Sequence, residues 1–260
     1  MKSLTTFASA AALALTLAAA AAPSHAAVIA QFTPNTNASD YRWINSGASN
    51  NGTGGHFISI TGNTQTAAHA VATHFSFLDS SVSLLAFIPA SFTIDASVAN
   101  GHPASQNGAG VWTQTNLDGS FHFTYTGSTI ANYNGSGITL LHNSNLLSGV
   151  FTDAWIQGAG GSGSTNLAHI NGGNATFTSD YVNFAHFDPA TEEFAFNLLA
   201  VTPNFGASSG KALKSFRANG GGNFDGTGVP EPATWGLMIV GFGGLGLVMR
   251  NNRRLALAKA

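Results

Sequence analysis

Apolar and polar residues alternate along the middle of the chain with the two-residue period of a β-strand. The clearest stretch covers residues 111–125, where Phe121, Phe123 and Tyr125 fall on one side and the polar residues between them on the other. A strand places successive side chains on opposite faces. One face of this stretch is therefore predicted to be buried.

Turn residues divide the rest of the chain into further short segments of the same kind. Asp118-Gly119 is a two-residue hairpin signal inside the stretch above, so it predicts two strands joined there. Asn134-Gly135 and Asn171-Gly172-Gly173 mark other turns. The remaining predicted strands cover residues 70–78, 84–98 with a break at Pro89, 137–142, 146–156, 175–177, 194–200 and 212–218.

No amphipathic helical stretch longer than two turns occurs between these segments. Many short strands without alternating helices are typical of all-β proteins rather than of α/β folds. The pattern therefore predicts an all-β fold, an antiparallel two-sheet sandwich of jelly-roll-like topology. This ectodomain is predicted to span residues 27–218, and a glycine-rich linker is predicted at 219–229.

The N-terminal residues have the composition of a secretory signal peptide, residues 1–26. Lys2 precedes an uncharged run at 3–22, which consists mostly of Ala and Leu and ends at Pro23. Small residues then occupy the two positions that a signal peptidase reads, which predicts cleavage between Ala26 and Ala27. A permanent N-terminal anchor is the alternative, and the cleavage site argues against it. The segment predicts export through the Sec translocon.

A second uncharged run, at residues 233–249, precedes a cluster of basic residues. As a helix this run would span about 25 Å, the short end of what crosses a bilayer. Trp235 suits one membrane interface, and the basic residues predict a cytoplasmic C-terminal tail, residues 255–260. Pro230 and Pro232 keep the helix from beginning earlier. The run therefore predicts one transmembrane helix.

The C-terminal features occur in a fixed order: Pro230-Glu231-Pro232, then Trp235, the glycine-rich run, and Arg250, Arg253 and Arg254. They resemble the PEP-CTERM sorting signal of Gram-negative bacteria in its PEPxxWA form, although Gly236 replaces the last Ala. In that family a membrane protease-transferase, exosortase, recognises and removes the signal. The resemblance implies a sorting signal at 230–254 and transit through the inner membrane to the outer surface, often in association with an exopolysaccharide gene cluster. It covers about a tenth of the chain and implies a destination rather than an activity.

Loss of both terminal segments would change the charge of the chain. Between residues 27 and 229, four basic residues stand against ten acidic ones, which gives −6 where the whole chain has −2. An acidic surface of this kind argues against nucleic acid and against anionic lipid as partners. The chain has no cysteine, so packing rather than disulfide bonds must stabilise the exported domain.

Several short motifs match catalytic patterns but lack the context that the chemistry needs. The GxGxxG matches at 158–163 and 241–246 have no surrounding βαβ unit, and the GxSxG match at 206–210 has no histidine after it. Glu192 and Glu193 are neighbours, so in a strand they would point to opposite faces and could not form a glycosidase pair alone. They are predicted to be solvated surface acids. We therefore predict no catalytic residues and no enzymatic activity.

The histidines show no spacing typical of a metal site. The closest pair, His69 and His74, are five residues apart with no acid between them, and His74 is predicted to face away from the core. No zinc site and no cofactor are predicted. Calcium stays open as a ligand of loop aspartates, since the loops of β-sandwiches bind it through carboxylates and carbonyls.

Trp43, Trp112 and Trp155 are the candidate residues for glycan stacking. A flat indole ring can stack on the apolar face of a pyranose while Asn and Asp bind the hydroxyl groups. Burial in the core is the alternative, and it is the commoner position of large aromatic side chains. The sequence does not decide between the two.

These features predict an exported, surface-sorted, non-enzymatic protein of the cell envelope or of an exopolysaccharide or biofilm matrix. A carbohydrate-binding β-sandwich module is one alternative, and it should expose a Trp beside Asn or Asp. A secreted hydrolase with a site not visible in the sequence is the other. It should hold two close carboxylates, or a Ser-His-Asp set, in a cleft.

Overall fold

Twelve β-strands make up the regular structure of the domain. The computed structural model describes residues 27–34, 39–79, 82, 84–159, 168–171 and 174–227. These residues contain short 3₁₀ turns but no α-helix, which confirms the all-β prediction. The strands are β1 (Ala27–Pro34), β2 (Tyr41–Asn45), β3 (Gly55–Ser59), β4 (Val71–Phe77), β5 (Ile88–Val98), β6 (Ser105–Gln106), β7 (Val111–Tyr125), β8 (Asn145–Ala159), β9 (Ala168–Asn171), β10 (Asn174–Thr178), β11 (Glu193–Thr202) and β12 (Phe216–Gly226).

The strand pairings are antiparallel, and they close into a ring. The order around the ring is β12, β2, β3, β5, β7, β8, β9 and β11, and β11 pairs again with β12. Strands β1 and β4 form a second bridge between β12 and β5, alongside β2 and β3. The strands thus belong to one continuous sheet. The prediction of two separate sheets in a jelly-roll-like topology is not confirmed.

Alternation along the strands fills the inside of the ring with apolar side chains. β5 buries every second residue from Ile88 to Val98. In β7, Phe121, Phe123 and Tyr125 are buried and His122 between them is exposed, as the pattern predicts. Each strand of the ring therefore contributes one apolar row to a shared core.

Phenylalanine rings from five strands meet at the centre of this core. Phe92 lies 4.4 Å from Phe123 and 5.0 Å from Phe32, measured between ring centroids. Phe196 and Phe224 pack against the same group, at 5.4 and 6.1 Å from Phe32. Full burial of such a side chain stabilises a fold by about 1.5–3 kcal/mol, and each aromatic pair adds about 0.5–1.5 kcal/mol. Aromatic packing thus stabilises this domain, as disulfide bonds stabilise many exported domains.

The two ends of the ring carry different connections. The pairs Ala27–Gly226 and Phe75–Ile88 lie at one end, together with the connections β4–β5, β7–β8 and β10–β11. We call this the terminal end, because the described chain both begins and ends there. The other end, which we call the distal end, carries the connections β2–β3, β5–β6 and β11–β12.

Asp118-Gly119 does not form the predicted hairpin turn. β7 passes through it without a break, and register shifts between Gln114 and Gly119 mark an irregular pairing with β8. Gly119 packs against β5, where a Cβ atom would come within 2.4 Å of the Cβ of Ala96. A glycine inside a strand often marks such a close approach of two backbones. The glycine that suggested a turn is therefore required by the packing of β7 against β5.

The predicted linker at 219–229 is wrong for residues 219–226, which form the C-terminal part of β12. These residues pair with β11 on one edge and with β1 on the other. A Cβ on Gly222 would come within 2.9 Å of the ring of Phe32 and within 2.5 Å of that of Phe196. The glycines make room for the core, and the compact unit spans Ala26–Thr227.

Other strand boundaries also differ from the predictions. The predicted strand at 137–142 is a loop with a single bridge at Leu140, and the one predicted at 212–218 begins only at Phe216. Pro89 does not break β5 but pairs within it, opposite His74. Strands β1, β2 and β3 have no counterpart among the predicted strands.

Within the described residues, no helix has the length and apolar composition that a membrane crossing requires. The signal peptide predicted at 1–26 and the transmembrane helix predicted at 233–249 lie outside these residues.

The Gly119→Ala variant tests the close contact between β5 and β7. Overpacking of a filled core costs about 1–3 kcal/mol, so urea unfolding followed by circular dichroism should show a loss of this size. Gly108→Ala is the matched control, because no atom lies within 4 Å of a Cβ built there. The control is expected to stay within about 0.5 kcal/mol of the wild type. Equal stabilities of the two variants would contradict the packing role of Gly119.

Candidate functional site

A cleft of about 610 Å³ opens at the terminal end of the ring, beside β10 and the connection that follows it. The described residues in its walls offer hydroxyl, amide, carboxyl and aromatic groups, and none of them is Lys or Arg. We call it the Glu192 cleft, and the residues that define it are Ser179, Asp180, Tyr181, Asn183, Phe184 and Glu192.

Two capped 3₁₀ turns, Phe184–His186 and Pro189–Thr191, shape the connection around the cleft. The side chain of Asn183 accepts a hydrogen bond from the N–H of Ala185 at 3.1 Å, and that of Asp188 accepts one from Ala190 at 3.0 Å. Such caps satisfy N–H groups that have no partner inside a turn. They fix the path of the chain and bring Glu192 back under β10.

Glu192 is the buried polar group of the cleft, with 3% of its surface exposed. Its Oε2 accepts a hydrogen bond from the N–H of Phe177 in β10. Burial raises the pKa of Glu192, and the hydrogen bond from Phe177 opposes this shift. The prediction of a solvated surface acid is therefore wrong for Glu192, although it holds for Glu193, which is exposed at the start of β11.

Tyr181 and Phe184 supply the aromatic surface of the cleft. The Tyr181 hydroxyl is 2.6 Å from Oγ of Ser144 and accepts the N–H of Leu141 at 3.1 Å. The Phe184 ring packs at 5.8 Å from that of Phe177. Both residues are half-buried, so part of each ring faces solvent while its position is fixed by the fold.

Asp180 adds a negative charge at the rim of the cleft. Its Oδ2 accepts the N–H of Asn145, at the start of β8, at 2.8 Å. The pKa of His122 is lowered by burial, and the charge of Asp180 acts in the opposite direction. Asp180 and Glu192 thus place an exposed and a buried carboxyl group in the same cleft.

The loop of the cleft is hydrogen-bonded to the last described residue, Thr227. The N–H of Asp188 donates to the carbonyl of Thr227 at 2.9 Å, and the N–H of Thr227 donates to Oγ1 of Thr191 at 2.9 Å. The predicted sorting segment begins three residues later, at Pro230. The cleft and the last described residue therefore share one hydrogen-bonded structure.

None of the three candidate tryptophans borders the Glu192 cleft. Trp43 is fully buried, and its Nε1 donates to the carbonyl of Leu213 at 2.8 Å. It has no free face, which contradicts the prediction of glycan stacking for Trp43. Trp112 and Trp155 are half-buried and stay candidates on the basis of the sequence.

The described histidines and carboxylates are spread over the fold. His56 Nε2 pairs with Asp95 Oδ1 at 2.5 Å, and His74 faces outward, stacked on the ring of Phe87 at 4.2 Å. Within the described ranges, no group of three or more His, Asp or Glu residues could hold a metal ion. Among the loop aspartates, Asp188 caps a turn through its Oδ1, and calcium binding by such aspartates stays a prediction.

Comparison with known proteins identifies the C-terminal segment and nothing else. No curated protein and no solved structure matches the chain. Residues 228–254, which lie outside the described residues, match the family model of the PEP-CTERM protein-sorting motif. The match includes every predicted motif residue and confirms the resemblance. The chain therefore carries a PEP-CTERM sorting signal, which marks it as an exosortase-targeted protein sorted to the cell surface.

Proposed function

We propose that this protein is a non-enzymatic constituent of the cell envelope or of an exopolysaccharide matrix, and that it binds a neutral glycan in the Glu192 cleft. The observation that carries the proposal is the combination, in one cleft, of two aromatic side chains with a buried, protonatable carboxyl group. Carbohydrate binding was an alternative in the sequence analysis, where tryptophans were the candidate residues. The proposed site is instead a cleft that sequence patterns did not indicate.

The groups in the cleft match the chemistry of a neutral sugar. The faces of Tyr181 and Phe184 suit the apolar side of a pyranose ring. The amide nitrogen of Asn183 and the carboxyl of Glu192 suit its hydroxyl groups, and a protonated Glu192 both donates and accepts. No Lys or Arg lies among the cleft residues. An anionic sugar would find no opposite charge there, so a neutral one is favoured.

The proposed route to the surface uses both terminal segments. Residues 1–26 direct the chain to the Sec translocon, and signal peptidase cuts between Ala26 and Ala27. A helix at 233–249 then holds the protein in the inner membrane with the arginine cluster in the cytoplasm, until exosortase cleaves near Pro230. Support comes from the match of residues 228–254 to the PEP-CTERM protein-sorting motif.

A hydrolase is the second candidate function, and Glu192 is the observation that favours it. A general acid of a glycosidase is a carboxyl group whose pKa is raised, paired with a second carboxylate across the sugar. Asp180 belongs to the same cleft. Its bond to the N–H of Asn145 gives it a structural role, which is why binding without cleavage is the favoured function.

Replacement of Pro230, Glu231 and Pro232 by Ala in the native host tests the sorting route. The variant is expected to keep its C-terminal segment and to stay in the membrane fraction, because exosortase no longer recognises it. Mass spectrometry of the mature protein and cell fractionation measure both effects. Ala substitution of the neighbouring Val229 is the control and should leave processing intact. If the motif variant keeps the wild-type mature mass and location, the segment is a plain anchor.

Phe184→Ala tests the glycan cleft. The purified wild-type domain, residues 27–227, is first screened on a glycan array, and its best neutral ligand is then titrated by calorimetry. Loss of one stacking face is expected to weaken binding about tenfold, or about 1.4 kcal/mol. Phe87→Ala, at an exposed position outside the cleft, should bind like the wild type, and thermal melting confirms that both variants fold. Equal loss in both would place the site elsewhere, and release of reducing ends by the wild type would favour the hydrolase.

The raised pKa of Glu192 makes the free energy of unfolding depend on pH. A carboxyl whose pKa is higher in the folded state stabilises the fold below its unfolded pKa, about 4.3. This contribution is lost as the pH rises through the folded pKa. Glu192→Gln keeps an acceptor for the N–H of Phe177 without the charge. Its melting temperature, relative to the wild type, is expected to increase from about pH 4 to about pH 8.

Asp153→Asn is the control for this measurement, since it removes one carboxylate at an exposed position. Its melting temperature should follow that of the wild type across the same pH range. A Glu192→Gln variant that shows no pH-dependent gain would mean that Glu192 titrates as a solvated carboxylate.

A further inference from the structure

The four basic residues of the domain are gathered toward the distal end of the ring. Arg42 lies in β2 and Arg217 in the first part of β12. Lys211 and Lys214 lie in the connection that leads into β12. The Lys211 carbonyl accepts the N–H of Ala104, which belongs to another distal connection. No other Lys or Arg occurs between residues 27 and 227, so the positive charge of an acidic domain is confined to one region.

Arg42 and Arg217 stand directly opposite each other in the antiparallel pairing of β2 and β12. Side chains at such positions share a face, and their Cβ atoms are about 4.5–5.5 Å apart. The residues on either side of each arginine are buried, so both guanidinium groups point to the outer face. Like charges in this arrangement destabilise a sheet. A compensating negative charge would therefore stabilise the pair.

The described protein does not supply that charge. Arg42 donates to the carbonyl oxygen of Gln65 at 2.7 Å, which holds the side chain in place but leaves its charge uncompensated. The one ion pair found among the described residues joins His56 and Asp95 and involves none of the four cations. The basic side chains are half-buried or exposed, so an external anion can reach them.

The carboxylates are concentrated at the opposite end of the ring. Six of the ten belong to the terminal end. Asp95, Asp118 and Asp153 lie level with the distal half of β5, and Asp40 precedes β2. Among the described residues, the terminal end therefore carries carboxylates without Lys or Arg, whereas the distal half carries both signs. The six at the terminal end are Asp79, Asp180, Asp188, Glu192, Glu193 and Asp225.

We propose that Arg42, Lys211, Lys214 and Arg217 form a binding surface for an anionic polysaccharide. A guanidinium group binds a carboxylate, sulfate or phosphate through two parallel hydrogen bonds, and a lysine adds a point charge. Lys211, Lys214 and Arg217 follow at three-residue intervals, each at most about 10 Å of chain. Several cations in one region suit the repeated charges of a polymer better than a single small anion.

The surface lies on the outer face toward the distal end, whereas the described chain ends at Thr227, at the terminal end. The surface also differs from the Glu192 cleft, which contains no cation. Binding of an anionic polysaccharide to the basic surface is a second activity, separate from the proposed binding of a neutral glycan in the Glu192 cleft. An experiment can contradict either proposal without contradicting the other.

Binding of the purified domain to immobilised polygalacturonate, with neutral dextran as the reference polymer, tests the proposal. The wild type is expected to bind polygalacturonate only, and at least about tenfold more weakly at 0.5 M than at 0.05 M NaCl, because salt screens charges at this range. Arg42→Gln with Arg217→Gln should lower the affinity about tenfold or more. Arg42→Lys with Arg217→Lys should retain most of it.

The matched control changes the net charge by the same amount at the terminal end. Thr126→Asp with Thr139→Asp, both at exposed loop positions, should bind within about threefold of the wild type. If this control loses as much affinity as the arginine variant, only net charge matters and the surface is not a site. Binding to dextran, salt-independent binding, or tighter binding to duplex DNA than to polygalacturonate would equally overturn the proposal. Lys211→Gln with Lys214→Gln repeats the test if the arginine variant does not fold.

Discussion

Closure of the ring by β12 is the constraint on which the rest of the structure depends. This strand pairs with β11 along one edge and with both β1 and β2 along the other. It can do so only because Gly220 and Gly222 leave room for neighbouring backbone and for the rings of Phe32 and Phe196. A bulkier strand would push these rings apart and open the aromatic core. The fold is therefore complete only at residue 226, immediately before the sorting signal.

This closure also connects the last described residue, Thr227, to the cleft. Thr227 leaves the ring between Asp188 and Thr191, whose turn also positions Glu192. The basic surface lies toward the distal end, at the other end of the strands.

Sequence patterns predicted the residues whose environment is set by their immediate neighbours. Alternation in β7 gave the buried face of Phe121 and Phe123, because strand period is a local property. Prediction from sequence patterns failed where a strand distant in sequence determines the local structure. Gly119 lies inside a strand rather than in a turn because β5 passes close to it. The glycines of β12 carry the same ambiguity, since a flexible linker and a crowded strand both require the smallest residue. The C-terminal motif was recognised because a linear signal is read as sequence and needs no fold.

The candidate site was missed for a related reason. Glu192 looks like one of two adjacent surface acids, and only the capped turns before it send its side chain under β10 rather than into water. An isolated buried carboxyl is costly, and one backbone N–H compensates it only in part. The N–H of Phe177 needs an acceptor, yet a carbonyl or a glutamine would provide one without a charge. A carboxyl at this position is therefore better explained by what it offers to a ligand in the cleft than by what it adds to the fold.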